Sequence, residues 1–349
     1  MRRLTPAIFI GLVLATGGPA PAQERAYVPE RRVILTGNTD FAGGDIPWLF
    51  GTPIGARGTA FVRETACVSE SACVAFTFNS RKGACFLKSG VGEQVAYQGA
   101  YSGWIRDASE GTAERAAARA AELRFLQDYD FDAALEQARF LANDHIAGGW
   151  NDHELTAAAA EARASGDLMA AARFQGAAVT MTDAADQWVE YGQLLLDLPF
   201  ADEGQRQNQA GRAISAAVNG YLRATNPALQ ATALGVMAAG LEIVGRGPDM
   251  VPALRLAQSL QPRDDIAARL EDAVGKYGFR IQETQVQSDS ARPRICAVFN
   301  QDLASSGTDY ATYVQLPEPD LSVEAELNQI CVAGVVHGKR YALTFREGL

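Results

Sequence analysis

The sequence predicts a multidomain α+β chain: a small α/β module, an all-α array of helical hairpins, and a C-terminal β-sandwich. Three observations predict it. Apolar spacing changes twice, from short alternating runs to helical spacing near residue 108, and to period two near residue 279. The five cysteines fall only in the outer regions, as Cys67, Cys73 and Cys85 and then Cys296 and Cys331. With 349 residues, 48% of them hydrophobic, the chain is long enough for two or three cores.

Residues 1–22 read as a secretory leader. Arg2 and Arg3 form its basic start, Ile8 to Leu14 its apolar core, and Ala20-Pro21-Ala22 an A-x-A site with cleavage between Ala22 and Gln23. The apolar run is too short to span a bilayer, and no cysteine near the cleavage point suggests a lipid anchor. The expectation is an exported protein in the periplasm of a Gram-negative cell. There, disulfides are the default state of cysteine pairs. Cleavage removes two arginines and no acid, deepening a net charge that is already −10. That balance opposes nucleic acid and anionic lipid as partners.

Residues 30–107 carry glycines, aromatics and short alternating runs. In "RETACVSESACVAFTFNSRKGACFLKS", Cys67 falls in a predicted helix, Cys73 opens a strand over 74–78, and Cys85 opens another at Phe86-Leu87. Together with "DFAGGDI" (40–46) and "YQGAYSGW" (97–104), the phrases "CVAFTF" and "CFLK" resemble the PAN/Apple fold, a helix tied by disulfides to a curled antiparallel sheet. Members of that family carry two helix cysteines four residues apart, but Arg63 stands four before Cys67. The pairing the resemblance implies is Cys67 with Cys73. Cys85 is then the odd cysteine, read as a buried thiol acting as a small hydrophobe, with a reactive or intermolecular thiol as the alternative.

Residues 108–278 turn alanine-rich, and "AERAAARAAELRFLQ" is helix-forming composition. A small-residue pattern recurs at Ala134/Ala138/Leu141, Ala170/Phe174/Ala177, Ala217/Tyr221/Ala224 and Ala253/Ala257/Leu260, with starts about 36, 47 and 36 residues apart. The long interval suggests a loop insertion around Pro199–Gln205. The period resembles that of tetratricopeptide repeats, and "QWVEYGQLL" places Trp188 and Gly192 at the large and small positions of such a repeat's first helix. The acidic run "DYDFD" (128–132) reads as an interhelical loop.

Residues 279–349 alternate in period two. Strands are expected on both sides of a Pro-marked turn in "FRIQETQVQSDSARPRICAVF", as one strand before a Pro/acid turn in "DYATYVQLPEPDLSVEAE", and as a hairpin in "QICVAGVVHGKRYALTF". Cys296 and Cys331 both fall in strands, and a bridge between them would staple a sandwich. Cys296, Phe299, Cys331, Gly334, His337, Gly338 and Tyr341 match a pattern that resembles the first β-sandwich of bacterial α2-macroglobulins, with Val335 where leucine is common.

The order of leader, PAN/Apple-like domain, helical repeats and macroglobulin-like sandwich resembles the amino-terminal part of an exported bacterial α2-macroglobulin, a family that traps proteases. The resemblance implies a longer protein, with further sandwiches after Leu349. It implies proteases as partners of the whole, and a bifunctional penicillin-binding cell-wall synthase as a partner to try. None of the five cysteines stands in the Cys-x-Glu-Gln context of that family's thioester. The expected role is therefore a non-catalytic docking region, and the alternative is a self-standing scaffold binding protein or glycan.

No enzyme chemistry is expected, and no cofactor or metal. His145 and His153, with Asp144, Asp152 and Glu154 beside them, have no zinc-motif spacing and read as residues flanking a turn. His337 reads as a turn residue. No serine has a G-x-S-x-G context, and "AGGD" and the Gly245–Gly247 stretch lack the lysine of a phosphate loop.

Overall fold

The computed structural model describes residues 25–46, 48–49, 52–53, 60–289, 292–303 and 307–346. The leader and its Ala22–Gln23 junction lie outside them. The chain is a multidomain α+β protein with a small N-terminal antiparallel sheet, a central helical region and C-terminal antiparallel sheets.

The N-terminal unit contains β1 (Arg31–Ala42), β2 (Trp48–Leu49), β3 (Thr52–Pro53), α1 (Ala60–Ser69), β4 (Ala75–Asn79), β5 (Ala84–Lys88) and β6 (Glu93–Asp107). Its main sheet runs β1-β6-β4-β5, all antiparallel. Val33, Leu35, Phe76 and Leu87 form the core with Cys67, Cys73 and Cys85. A disulfide joins Cys67 to Cys73, six residues apart, while Cys85 is a buried thiol in the same core. Arg31 finishes the device. Its guanidinium donates to the carbonyls of Cys67, Val68, Glu70 and Cys73 at 2.5–3.2 Å, satisfying acceptors that the end of α1 leaves over.

Helices follow as α2 (Thr112–Ala120), α3 (Asp128–Asp144), α4 (Asp152–Ala164), α5 (Leu168–Thr182), α6 (Ala185–Asp197), α7 (Glu203–Arg223), α8 (Pro227–Ile243), α9 (Gly247–Leu260) and α10 (Asp264–Tyr277). Local chemistry explains their starts. Asn151, Asp167, Asp202 and Asn226 each accept a backbone N–H of the first turn, and Pro227 sits at the first turn of α8. From α4 to α10 each helix packs on the next, and Trp188, Tyr191 and Tyr221 are fully buried between them. Gly192 allows α6 its close approach: a Cβ there would lie 3.2 Å from Val236 and 3.3 Å from the Ala213 carbonyl.

Several expectations change here. The acidic run 128–132 is no loop. It is the first turn of α3, where acids oppose the positive end of the helix dipole and Asp130 accepts the Gln127 N–H at 2.8 Å. The alanine-rich stretch stops being helix at Ala120, because Leu123 and Leu126 turn into the core. The loop expected around Pro199–Gln205 is present at 198–202, but Glu203–Gln205 already belong to the 21-residue α7, which begins at its Asp202 cap. The four repeat phrases fall on α3, α5, α7 and α9. The first of these, α3, lies against α7 and α5, and Asn219 Nδ2 donates to its Ala134 carbonyl at 2.8 Å.

The C-terminal unit holds β7 (Ile281–Gln287), β8 (Arg294–Phe299), a 3-10 turn at Tyr310–Tyr313, β9 (Val314–Gln315), β10 (Ser322–Glu326), β11 (Gln329–Ala333) and β12 (Thr344–Phe345). One sheet runs β10-β11-β8-β7, and β9 pairs with β12 as a separate ladder. Phe299, Ile330, Val332 and Val314 lie between the two, with Phe345 edge-on to Phe299 at 5.7 Å. Three expectations are corrected. The stretch 329–345 forms no hairpin, because β8 and β10 already occupy both edges of β11. Gly334, at φ +92°, turns the chain out of the sheet. The Cys296–Cys331 disulfide joins residues directly opposite in β8 and β11, so it staples neighbouring strands of one sheet rather than two layers. Much of the "DYATY" stretch expected as strand is the 3-10 turn.

The N-terminal sheet is anchored to the helices by charge. Arg32 on β1 donates to the carbonyls of Thr180 and Met181 at the end of α5, and Arg106 on β6 donates to Met181 at 2.9 Å. Cations suit the negative end of a helix. Among the described residues, no helix is long and apolar enough to cross a membrane.

Candidate functional site

Two adjoining cavities open on the helical region, with volumes of about 670 and 570 Å³. The first lies between α3, α7 and the α8–α9 turn, and Tyr129, Gln137, Phe140, Asn208 and Arg246 contribute to its walls. The second lies against α5 and α6, lined by His145, Met169, Arg173 and Tyr191. Asp144 and Arg212 belong to both. They form the ridge between them.

That ridge is a hydrogen-bond chain drawn from three helices. Arg212 on α7 donates to Tyr191 Oη on α6 at 2.9 Å and pairs with Asp144 on α3 at 3.3 Å. Tyr191 Oη lies 2.8 Å from His145 Nε2, at the end of α3. Tyr191 Oη thus accepts from Arg212 and shares a second hydrogen bond with His145 Nε2. Gly176 makes room for the ring: a Cβ there would sit 2.5 Å from the imidazole carbons.

Burial pushes the His145 pKa down to about 4, assisted by the charge of Arg212 and opposed by Asp144. Burial likewise pushes the Tyr191 hydroxyl up to about 12, with Arg212 working against it. Both groups therefore keep one protonation state across neutral pH. The chain holds Arg212 between Tyr191 and Asp144. A depressed histidine pKa means that the unfolded chain binds the proton first. His145 thus contributes stability above pH 6.5, and this is lost as pH falls towards 4. We expect a loss of roughly 3 kcal/mol over that window. Thermal melts of His145→Gln against pH should show a flatter slope there; an unchanged slope would remove His145 as its source.

On the far wall, Arg246 pairs with Asp130 at 2.7 Å and Asp249 at 2.8 Å. Burial works against its charge, yet the bonds to these two carboxylates raise its pKa. Asp130, itself buried, thus joins the start of α3 to the α8–α9 turn.

The residues singled out from sequence are distributed otherwise. Cys67, Cys73 and Cys85 lie in the N-terminal core and Cys296 and Cys331 in the C-terminal sheet, away from both cavities. His153 is exposed on α4 and His337 on a turn, while His145 is brought to the ridge. Tyr191, Arg212, Gln137 and Arg246 had no sequence signal, since they converge from helices up to about a hundred residues apart. Among the described residues, no three metal-ligating side chains are grouped to hold an ion. No family model matches the chain, and no curated protein matches it.

Proposed function

We propose that this chain is the non-catalytic recognition arm of an exported α2-macroglobulin-like protease trap, working in the periplasm. Its PAN/Apple-like unit, tetratricopeptide-like helices and macroglobulin-like sandwich would present one docking surface to an envelope protein. A bifunctional penicillin-binding cell-wall synthase is the partner to test first. The observation that carries the reading is the paired cavity, which is built on packed helices and flanked by an arginine held ready by Tyr191 and Asp144. Sites set on rigid elements lose little entropy on binding. The two disulfides fit an oxidising compartment.

The test places a photo-crosslinking residue at Asn208, on the cavity rim, and exposes purified residues 23–349 to the purified synthase. A saturable adduct, weakened at least tenfold by Arg212→Glu, is the expected result. No adduct, or capture indifferent to Arg212→Glu, removes this surface from the docking role. Turnover of any substrate that depends on His145 or Tyr191 would replace the reading with an enzymatic one.

A further inference from the structure

The groove along α3 points to its own ligand chemistry, and this inference rests on the recognition reading above. We propose that it takes an extended peptide segment bearing lysine or arginine, gripped by its main chain.

Two buried polar atoms on residues lining the first cavity lack a partner among the described residues. Gln137 donates its amide to the Arg212 carbonyl at 3.0 Å, which leaves Oε1 without a donor. Arg246 spends Nη1 on Asp130 and Nε on Asp249, which leaves Nη2 without an acceptor. Buried polar atoms are nearly always paired, so such exceptions ask what completes them. An acceptor at Gln137 and a donor at Arg246, set apart along one groove, complement the successive N–H and C=O groups of an extended main chain. Tyr129, 59% exposed, lies over the Arg246 guanidinium at 5.4 Å and forms the outer cover of that end of the groove.

Length and charge fit the same occupant. From Asp130 to Asp144, α3 extends about 21 Å at ~1.5 Å per residue. That distance holds about six residues of extended chain at ~3.4 Å each. Glu136 lines the cavity and has no ion pair among the described residues, whereas Asp130 and Asp144 are already paired with arginines. Acids outnumber bases across residues 108–278, so the surrounding field favours a cation. Tyr129 and Phe140 supply apolar contact between charges.

The probe is a fluorescein-labelled hexapeptide, Lys-Leu-Lys-Tyr-Lys-Leu, titrated by anisotropy at about 0.15 M salt, where distant charges are screened. Two twins accompany it, one with glutamate for lysine and one with alternate amides N-methylated. The lysine peptide should bind saturably and both twins at least tenfold more weakly. Glu136→Lys and Gln137→Leu should each weaken it about tenfold, with both variants still folded by circular dichroism. Equal binding of the N-methylated twin, preference for the acidic twin, indifference to both variants, or no binding would each overturn the proposal. If the synthase is still captured through Asn208 while the lysine peptide fails, only this inference falls. Loss of capture as well brings down the recognition reading.

Discussion

Replacing Asp183 with alanine is expected to cost about 3–5 kcal/mol and to loosen the N-terminal sheet from the helices. Asp183 sits in a left-handed turn at the end of α5, at φ 54°, which already disfavours alanine. Its carboxylate lies 2.9 Å from Arg223 Nε and accepts the Trp188 indole N–H at 2.8 Å, with Arg32 Nε at 3.8 Å. Arg32 and Arg223 are both buried. Burial lowers the Arg32 pKa, Arg106 and Arg223 lower it further, and Asp183 alone of its charged neighbours supports the charge. Without Asp183, two buried guanidinium groups face one another unneutralised and an indole N–H loses its acceptor. Asp183→Asn separates the causes, because asparagine tolerates the turn and can still accept one hydrogen bond. Urea unfolding should place Asp183→Asn close to alanine, and limited proteolysis near 107–112 should quicken in both. Native-like stability in the asparagine variant would show that charge balance at this junction matters little.

The second large effect is expected at the C-terminal bridge. Cys296 and Cys331 close a separation of 35 residues, and loop-closure entropy assigns such a bond about 3–4 kcal/mol. Changing both to alanine should lower the melting transition of the C-terminal sheets while leaving that of the helices in place. The bridge is fully buried between the two central strands, so reductant should act only once the sheet opens. A double variant that melts with the native C-terminal transition would mean that strand pairing and the Phe299 core already suffice.

Some of this molecule was legible in advance because its causes are local. Alternation around Cys296 and Cys331, alanine-rich helical spacing, and the changes of period near 108 and 279 each concern residues within a few positions of one another. The ridge between the two cavities was not legible. Tyr191, Arg212 and His145 each have an ordinary reading in their own helix, and only α6, α7 and the end of α3 packed together make them a chain.

What the sequence by itself determined is therefore the succession of α/β, helical and β regions, because side-chain periodicity and cap chemistry act over one or two turns of chain. Tertiary structure alone decided that β12 pairs with β9 instead of β11, that the Cys296–Cys331 bond lies within one sheet, and that α3 packs on α7. Those outcomes turn on which strand edges and helix faces are already occupied. Occupancy is a property of the assembled chain, so no window of sequence contains it.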